Sequence, residues 1–176
     1  MPSPDNPPKA PSLPPLPWHG GCQCGQVRYQ INAYPLTLYG CHCSECQKQS
    51  SSAYGLSLRV MAASVSVTGE MSDWSRPAAS GNTMLAKFCP RCGSRLFHQR
   101  AQYAANPAGA MMNVKGGTLD CIADIEPVGH IWLKSRQKGT AIAQGLLEYV
   151  GQPENYDALM QAWSAKHGLP LPGANK

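Results

Sequence analysis

The segment "CHCSECQK", residues 41–48, sets Cys41, Cys43 and Cys46 within six positions. Three thiols this close can bind a metal, form disulfides or run redox chemistry. Tetrahedral zinc takes four ligands, and this segment offers three. Four more thiols come in pairs: Cys22 and Cys24 in "GGCQCG", and Cys89 and Cys92 in "FCPRCG". Cys121, in "GTLDC", stands alone. "CPRCG" reads as a zinc knuckle, with Pro90 shaping the turn and Gly93 permitting the tight backbone. A C-x-C pair on a regular strand would hold its residues roughly 6.6 Å apart. A metal–sulfur distance of about 2.3 Å in a tetrahedron asks for sulfurs roughly 3.8 Å apart. Each C-x-C chelate therefore needs a bent backbone. Gly20, Gly21 and Gly25 flank the first pair, and Gly40 precedes the second.

Two pairs complete one closed site, so Cys22, Cys24, Cys89 and Cys92 are assigned to a structural zinc. Cys41, Cys43 and Cys46 then form a second site with one position open, the mark of a catalytic zinc. The spacing also permits other pairings, including two ligands borrowed from the triple cluster. Iron in a rubredoxin-like four-thiolate site is compatible with the same ligands. Thioredoxin-like chemistry needs C-x-x-C at the start of a helix within a βαβ unit, a setting this segment lacks. Haem attachment needs His directly after the second Cys, where Gln47 and Gly93 stand. Cys121 reads as a small core hydrophobe. His42 lies between two ligands, and adjacent side chains diverge, so it reads as a supporting or solvent-facing group. His19, His98, His130 and His167 have no ligand spacing and read as surface or packed histidines.

The elements around these thiols read as mostly β. Only 14% of the 176 residues are charged, while Gly (17) and Pro (16) are plentiful, which favours a single loop-rich β domain over a helical bundle. In "QVRYQI", Val27, Tyr29 and Ile31 alternate with polar residues, a half-buried strand. "AYGLSLRV", "SVSVTGE", "TMLAKF", "SRLFHQ", "MMNVKGG" and "HIWLK" read as further strands. One helix is expected near 153–167, in "PENYDALMQAWSAKHG". Pro153 suits its first position, Glu154 and Asp157 its positive end, and Gly168 its stop. Tyr156, Leu159, Met160 and Trp163 form its apolar stripe. Residues 1–17 read as a flexible proline-rich tail with PxxP spacing, and residues 18–176 as the zinc-binding domain.

The formal charge is +5, but seven thiolates on two divalent ions would bring it to about +2. Lys and Arg are scattered rather than blocked, so no nucleic-acid partner is expected. No run of about 18 apolar residues exists, so no membrane span is expected. The N-terminus has neither the basic nor the apolar region of a secretory signal, which points to a cytoplasmic protein with reduced cysteines.

Taken together, "GGCQCGQVRY", "CHCSECQK", "SGNTMLAKFCPRCGSRLF", "VKGGTLD" and "HIWLKSR" resemble the glutathione-dependent formaldehyde-activating enzyme family, also called the GFA or CENP-V domain. The likeness covers roughly residues 18–136, with the cysteines in the order two, three, two. It implies an Mss4-like, mostly β fold and two zinc ions. It also implies a structural site at Cys22, Cys24, Cys89 and Cys92, and a catalytic one at Cys41, Cys43 and Cys46. The implied activity is a carbon–sulfur lyase-type reaction joining glutathione to formaldehyde as S-hydroxymethylglutathione, or the handling of a related thiol and aldehyde. A non-catalytic, zinc-stabilised binding module of the CENP-V type is the alternative. Glutathione carries two carboxylates, so a cation is expected near the site, with Lys48, Lys115 and Arg136 as candidates. The stretch "QKGTAIAQGLLEYVGQ" and the helix after it depart from the family pattern.

Overall fold

The computed structural model describes residues 12–78, 81–104 and 109–171. Its strands are β1 (Trp18–Gly21), β2 (Arg28–Ile31), β3 (Thr37–Cys41), β4 (Gly55–Met61), β5 (Val65–Thr68) and β6 (Ser72–Pro77). They continue with β7 (Thr83–Phe88), β8 (Arg95–Arg100), β9 (Met111–Lys115), β10 (Gly129–Ile131) and β11 (Leu147–Glu148). Two α-helices are present among the described residues, α1 (Ser44–Ser50) and α2 (Asp157–His167). The fold is mostly β with a C-terminal helix, as expected from composition and pattern.

Strands β1, β2 and β5 form a small antiparallel sheet in the order β1-β2-β5. The other eight form a large sheet in the order β11-β10-β3-β4-β9-β8-β7-β6. It is antiparallel except at β10, which runs parallel to both β3 and β11. One face of the large sheet carries Leu38, Leu58, Val114 and Phe97, which are opposite one another in register and buried. Tyr29 of the small sheet meets Phe97 edge-on at 5.2 Å, and the Tyr29 hydroxyl pairs with Thr118 Oγ1 at 2.9 Å. Arg28 and Asp120 add an ion pair at the rim. The core therefore sits where the small sheet covers this face.

The opposite face has a different chemistry. Side chains alternate along a strand, so the register puts Cys41, Tyr39, Ser57, Lys115, Asn113, His98 and Trp74 on this second face. Part of it is covered by α2, whose Leu159 and Trp163 are buried. Thr37 Oγ1 donates to the Leu159 carbonyl at 3.1 Å, and Tyr39 packs 5.2 Å from Tyr156. The remainder of the face is polar and basic.

Three expectations need correction. Helix α2 begins at Asp157 rather than Pro153, because the Asn155 side chain accepts from the Asp157 N–H at 3.0 Å and makes a local turn there. Of the expected stripe, Leu159 and Trp163 are buried while Tyr156 and Met160 are only partly so. Residues 1–11 of the proline-rich segment lie outside the described residues, but 12–17 do not form a free tail. Leu13 is buried, the Trp18 indole donates to the Pro14 carbonyl at 2.9 Å, and Ser12 Oγ lies 3.0 Å from His167 Nδ1. Four strands (β1, β3, β6 and β11) and helix α1 were not anticipated. All five residues of β3 are buried, so no alternation betrays it. Edge strand β6, "SDWSRP", is largely exposed and ends on a proline.

The α2 packing yields a stability prediction. Leu159→Ala removes a fully buried side chain from the helix–sheet contact and should cost about 2–5 kcal/mol in denaturant unfolding. A loss under about 1 kcal/mol would show that α2 is peripheral to the fold.

Candidate metal centres

The first four thiols sit at the tips of two hairpins, one from each sheet. The β1–β2 turn carries Cys22 and Cys24, and the β7–β8 turn carries Cys89 and Cys92. Gly25 (φ +78°) and Gly93 (φ +74°) take left-handed backbone just past each pair, which curls both turns inward. The four sulfurs lie within 4.8 Å of one another. Cys22 Sγ is 3.6 Å from Cys24 Sγ, which is 3.7 Å from Cys89 Sγ. Those spacings match the roughly 3.8 Å edge of a tetrahedral metal–thiolate site. Backbone amides and a hydroxyl already serve the sulfurs. Val27 N–H donates to Cys22 Sγ at 3.2 Å, and the Ser94 hydroxyl, 3.3 Å from Cys92 Sγ, helps pull that thiol down to about 5. Ser94 also ties the two tips together by accepting from the Gln23 N–H at 3.1 Å.

The triple cluster is built locally. Cys41 ends β3, Cys43 caps α1 and Cys46 lies in its first turn. The Cys46 N–H donates to Cys43 Sγ at 3.4 Å, as at any helix N-cap. Cys43-x-x-Cys46 thus does open a helix, contrary to the sequence reading, although that helix follows a strand of an antiparallel hairpin rather than a βαβ unit. The three sulfurs also lie within 4.8 Å of one another, with Cys41 and Cys46 buried and Cys43 partly so. Hydrogen bonds from the Cys41 and Cys46 thiols pull the Cys43 thiol down, and the same sharing pushes Cys41 up. Metal uptake would need all three sulfurs deprotonated and would release their protons.

No histidine nitrogen joins this group. His42 is fully buried, and its Nε2 lies 2.9 Å from His130 Nδ1, while Tyr54 packs against both rings. Burial, followed by the His130 and Arg136 charges, lowers His42 to about 4, so the pair is neutral at physiological pH. The His42 carbonyl accepts from Gln47 Nε2 at 2.6 Å and from the Ser135 hydroxyl at 2.9 Å. This network fixes the backbone between Cys41 and Cys43. His130 had looked unremarkable because its partner lies 88 positions away.

Lys115 is the other departure. It was one of three candidate cations, and it alone is buried, at 5% exposure. Its Nζ is out of solvent and without a hydrogen-bond partner among the described residues. Burial pushes the ammonium's pKa down, while the Cys46, Cys41 and Cys43 sulfurs oppose that shift. Lys48 is 76% exposed and lies 3.5 Å from Glu45, and Arg136 is exposed. Cys121 joins neither cluster and is partly buried against the core.

The sequence model of the glutathione-dependent formaldehyde-activating enzyme family matches residues 17–135. No curated protein matches the chain. A solved structure of a Rhodobacter sphaeroides protein is similar at 17% identity, covering 74% of this chain and 98% of that one, with a TM-score of 0.42. That likeness is too loose to bear on fold or function.

The histidine pair leaves no room for a side chain at Gly40 without a shift of His130. A Cβ there would lie 2.4 Å from His130 Nδ1 and 2.6 Å from its Cε1. Gly40→Ala should cost about 1–3 kcal/mol in chemical denaturation, the usual range for overpacking. An unchanged unfolding midpoint would show that the His42–His130 contact can be displaced freely.

Proposed function

We propose that this chain, which belongs to the glutathione-dependent formaldehyde-activating enzyme family, is a zinc enzyme joining a thiol such as glutathione to formaldehyde at Cys41, Cys43 and Cys46. The observation that carries this reading is the donor set. Three sulfurs converge, and His42, which lies between two of them in sequence, is engaged by His130 instead of completing the site. The other four clustered thiols have each other, at spacings that suit a closed site.

In the reaction the thiol sulfur bonds to the aldehyde carbon, the carbonyl becomes a hydroxyl, and the thiol proton ends on that oxygen. When bound, zinc supplies Lewis acidity that lowers the pKa of a substrate thiol. Three thiolates on a divalent ion leave about one negative charge, which makes it a weaker Lewis acid than a three-histidine site and suits thiolate over hydroxide chemistry. The protein's share is positional. β3 and α1 aim the three sulfurs at one point, and the His42 carbonyl network holds the turn between them. Lys115 is buried on the sheet side, where the cluster's sulfurs favour its ammonium form against the cost of burial. The eight cysteines form no disulfide, which suits a reducing compartment, and the cytoplasm is part of the proposal.

Two experiments test the reading. Metal analysis should find two zinc ions per chain, falling to about one in Cys43→Ser with circular dichroism unchanged. Loss of both ions together with the fold would sink the division between the clusters. Calorimetry of the zinc-loaded protein should show glutathione binding, and no heat at millimolar glutathione would remove thiol chemistry from the account.

A further inference from the structure

The face of the large sheet around the triple cluster has more positive charge than the protein neutralises. Arg76 on β6, Arg95 on β8 and Lys115 on β9 all lie there, together with His98, which burial holds neutral. Glu45 of α1, between Cys43 and Cys46, is the acidic group paired with this wall among the described residues. It lies 3.6 Å from Arg76 and 3.5 Å from Lys48. Lys115 faces the three sulfurs, whose effect opposes the cost of burying its ammonium. Arg95 has none, since no carboxylate among the described residues lies within 4.0 Å of it.

The orientation of Arg95 is informative. Its guanidinium lies 5.5 Å from the Trp74 ring centre and 5.8 Å from that of Phe88. A register shift between Lys87 and Phe88 sets Arg95 opposite Phe88 and delivers it to this spot. Nε and Nη2, the two nitrogens of one fork of the guanidinium, are shielded from water and have no hydrogen-bond partner among the described residues. An unserved, desolvated pair of donors is costly, and a carboxylate fits that fork with two parallel hydrogen bonds. Trp74 is 48% exposed on the edge strand, and Arg95 as a whole is half-buried. The fields of Arg76 and Lys115 both reach this region and favour an anion there.

We propose that Arg95 recognises a carboxylate of the thiol substrate, its Nε–Nη2 fork binding that group while the substrate sulfur lies at Cys41, Cys43 and Cys46. The assignment rests on the thiol reading given above and adds to it the part of the substrate that confers selectivity. It replaces Lys48 and Arg136, whose exposed charges are screened by water. Lys48 lines a shallow cavity of about 560 Å³ with Ser44, Gln47 and Gln137, the competing location. That cavity offers one lysine already facing Glu45, against an unpaired fork in the sheet.

The test uses the full-length, zinc-loaded protein and two probes, glutathione and 2-mercaptoethanol, which has a thiol and no carboxylate. Arg95→Met should weaken glutathione about 10- to 100-fold, the worth of a charge-assisted hydrogen-bond pair, and leave 2-mercaptoethanol and zinc content unchanged. Arg95→Lys should recover part of the loss, since it restores the charge without the fork. Lys48→Ala should change glutathione binding less than twofold. If wild type prefers glutathione and Arg95→Met does too, the subsite is elsewhere, and a loss confined to Lys48→Ala would place it in the shallow cavity. Equal weakening of both probes would make Arg95 a support of the metal centre and overturn the assignment. If zinc-loaded wild type binds neither thiol, the parent reading fails first and the subsite falls with it.

Discussion

Four sulfurs meet at the tips of two hairpins, and the arrangement of the two sheets turns on that meeting. Cys24 and Cys89 are 65 positions apart in sequence, and their sulfurs are 3.7 Å apart. Closing so long a loop carries an entropic cost that a few surface hydrogen bonds do not offset, whereas metal binding to preplaced thiolates contributes directly to folding. The join also aligns the two sheets. With the tips held together, Tyr29 meets Phe97 and Thr118, the core closes on one face of the large sheet, and the other face stays free for polar chemistry. The second cluster carries no such duty. Its three sulfurs come from one strand end and one helix turn, so it joins no distant segments.

Charge explains why the polar face is built as it is. A buried ammonium or guanidinium is retained only where an anion compensates it. Lys115 lies within the field of the three sulfurs; on the proposed reading, three thiolates with a divalent ion would carry about one negative charge and offset it. Arg95 remains in surplus, near the Trp74 and Phe88 rings with its Nε–Nη2 fork unserved among the described residues. A protein tuned only for stability would place an acid there. The missing acid is best understood as a place kept for one that arrives with the substrate.

Much of this was legible in the sequence, and the limits have physical causes. All seven metal-type cysteines fall into the two expected groups, because C-x-C and C-x-x-C spacings with flanking glycine restrict what the backbone can do. Strand β7 matches its expected span, and the other recognised strands differ from theirs by a few residues. Strand β3 escaped notice because a strand buried on both faces has no period-two signal. The short helix α1 lacks an apolar stripe, being nucleated by the Cys43 cap rather than by burial. The His42–His130 pair and the basic wall arise from strand pairing, which local pattern does not encode. Alternation along "MMNVK" could have aligned Lys115 with Asn113. The bulge at Lys87 and Phe88 shifts Arg95 out of any such rule.

On the proposed reading a substrate sulfur, rather than a fourth residue of the chain, completes the three-thiol centre. Cobalt substituted at the triple cluster, with zinc retained at the closed one, reports its sulfur ligands through charge-transfer absorption and X-ray absorption. The account predicts three sulfurs per cobalt in the free protein and four once glutathione is added. Four sulfurs before any thiol is added, or three that do not change at saturating glutathione, would contradict it.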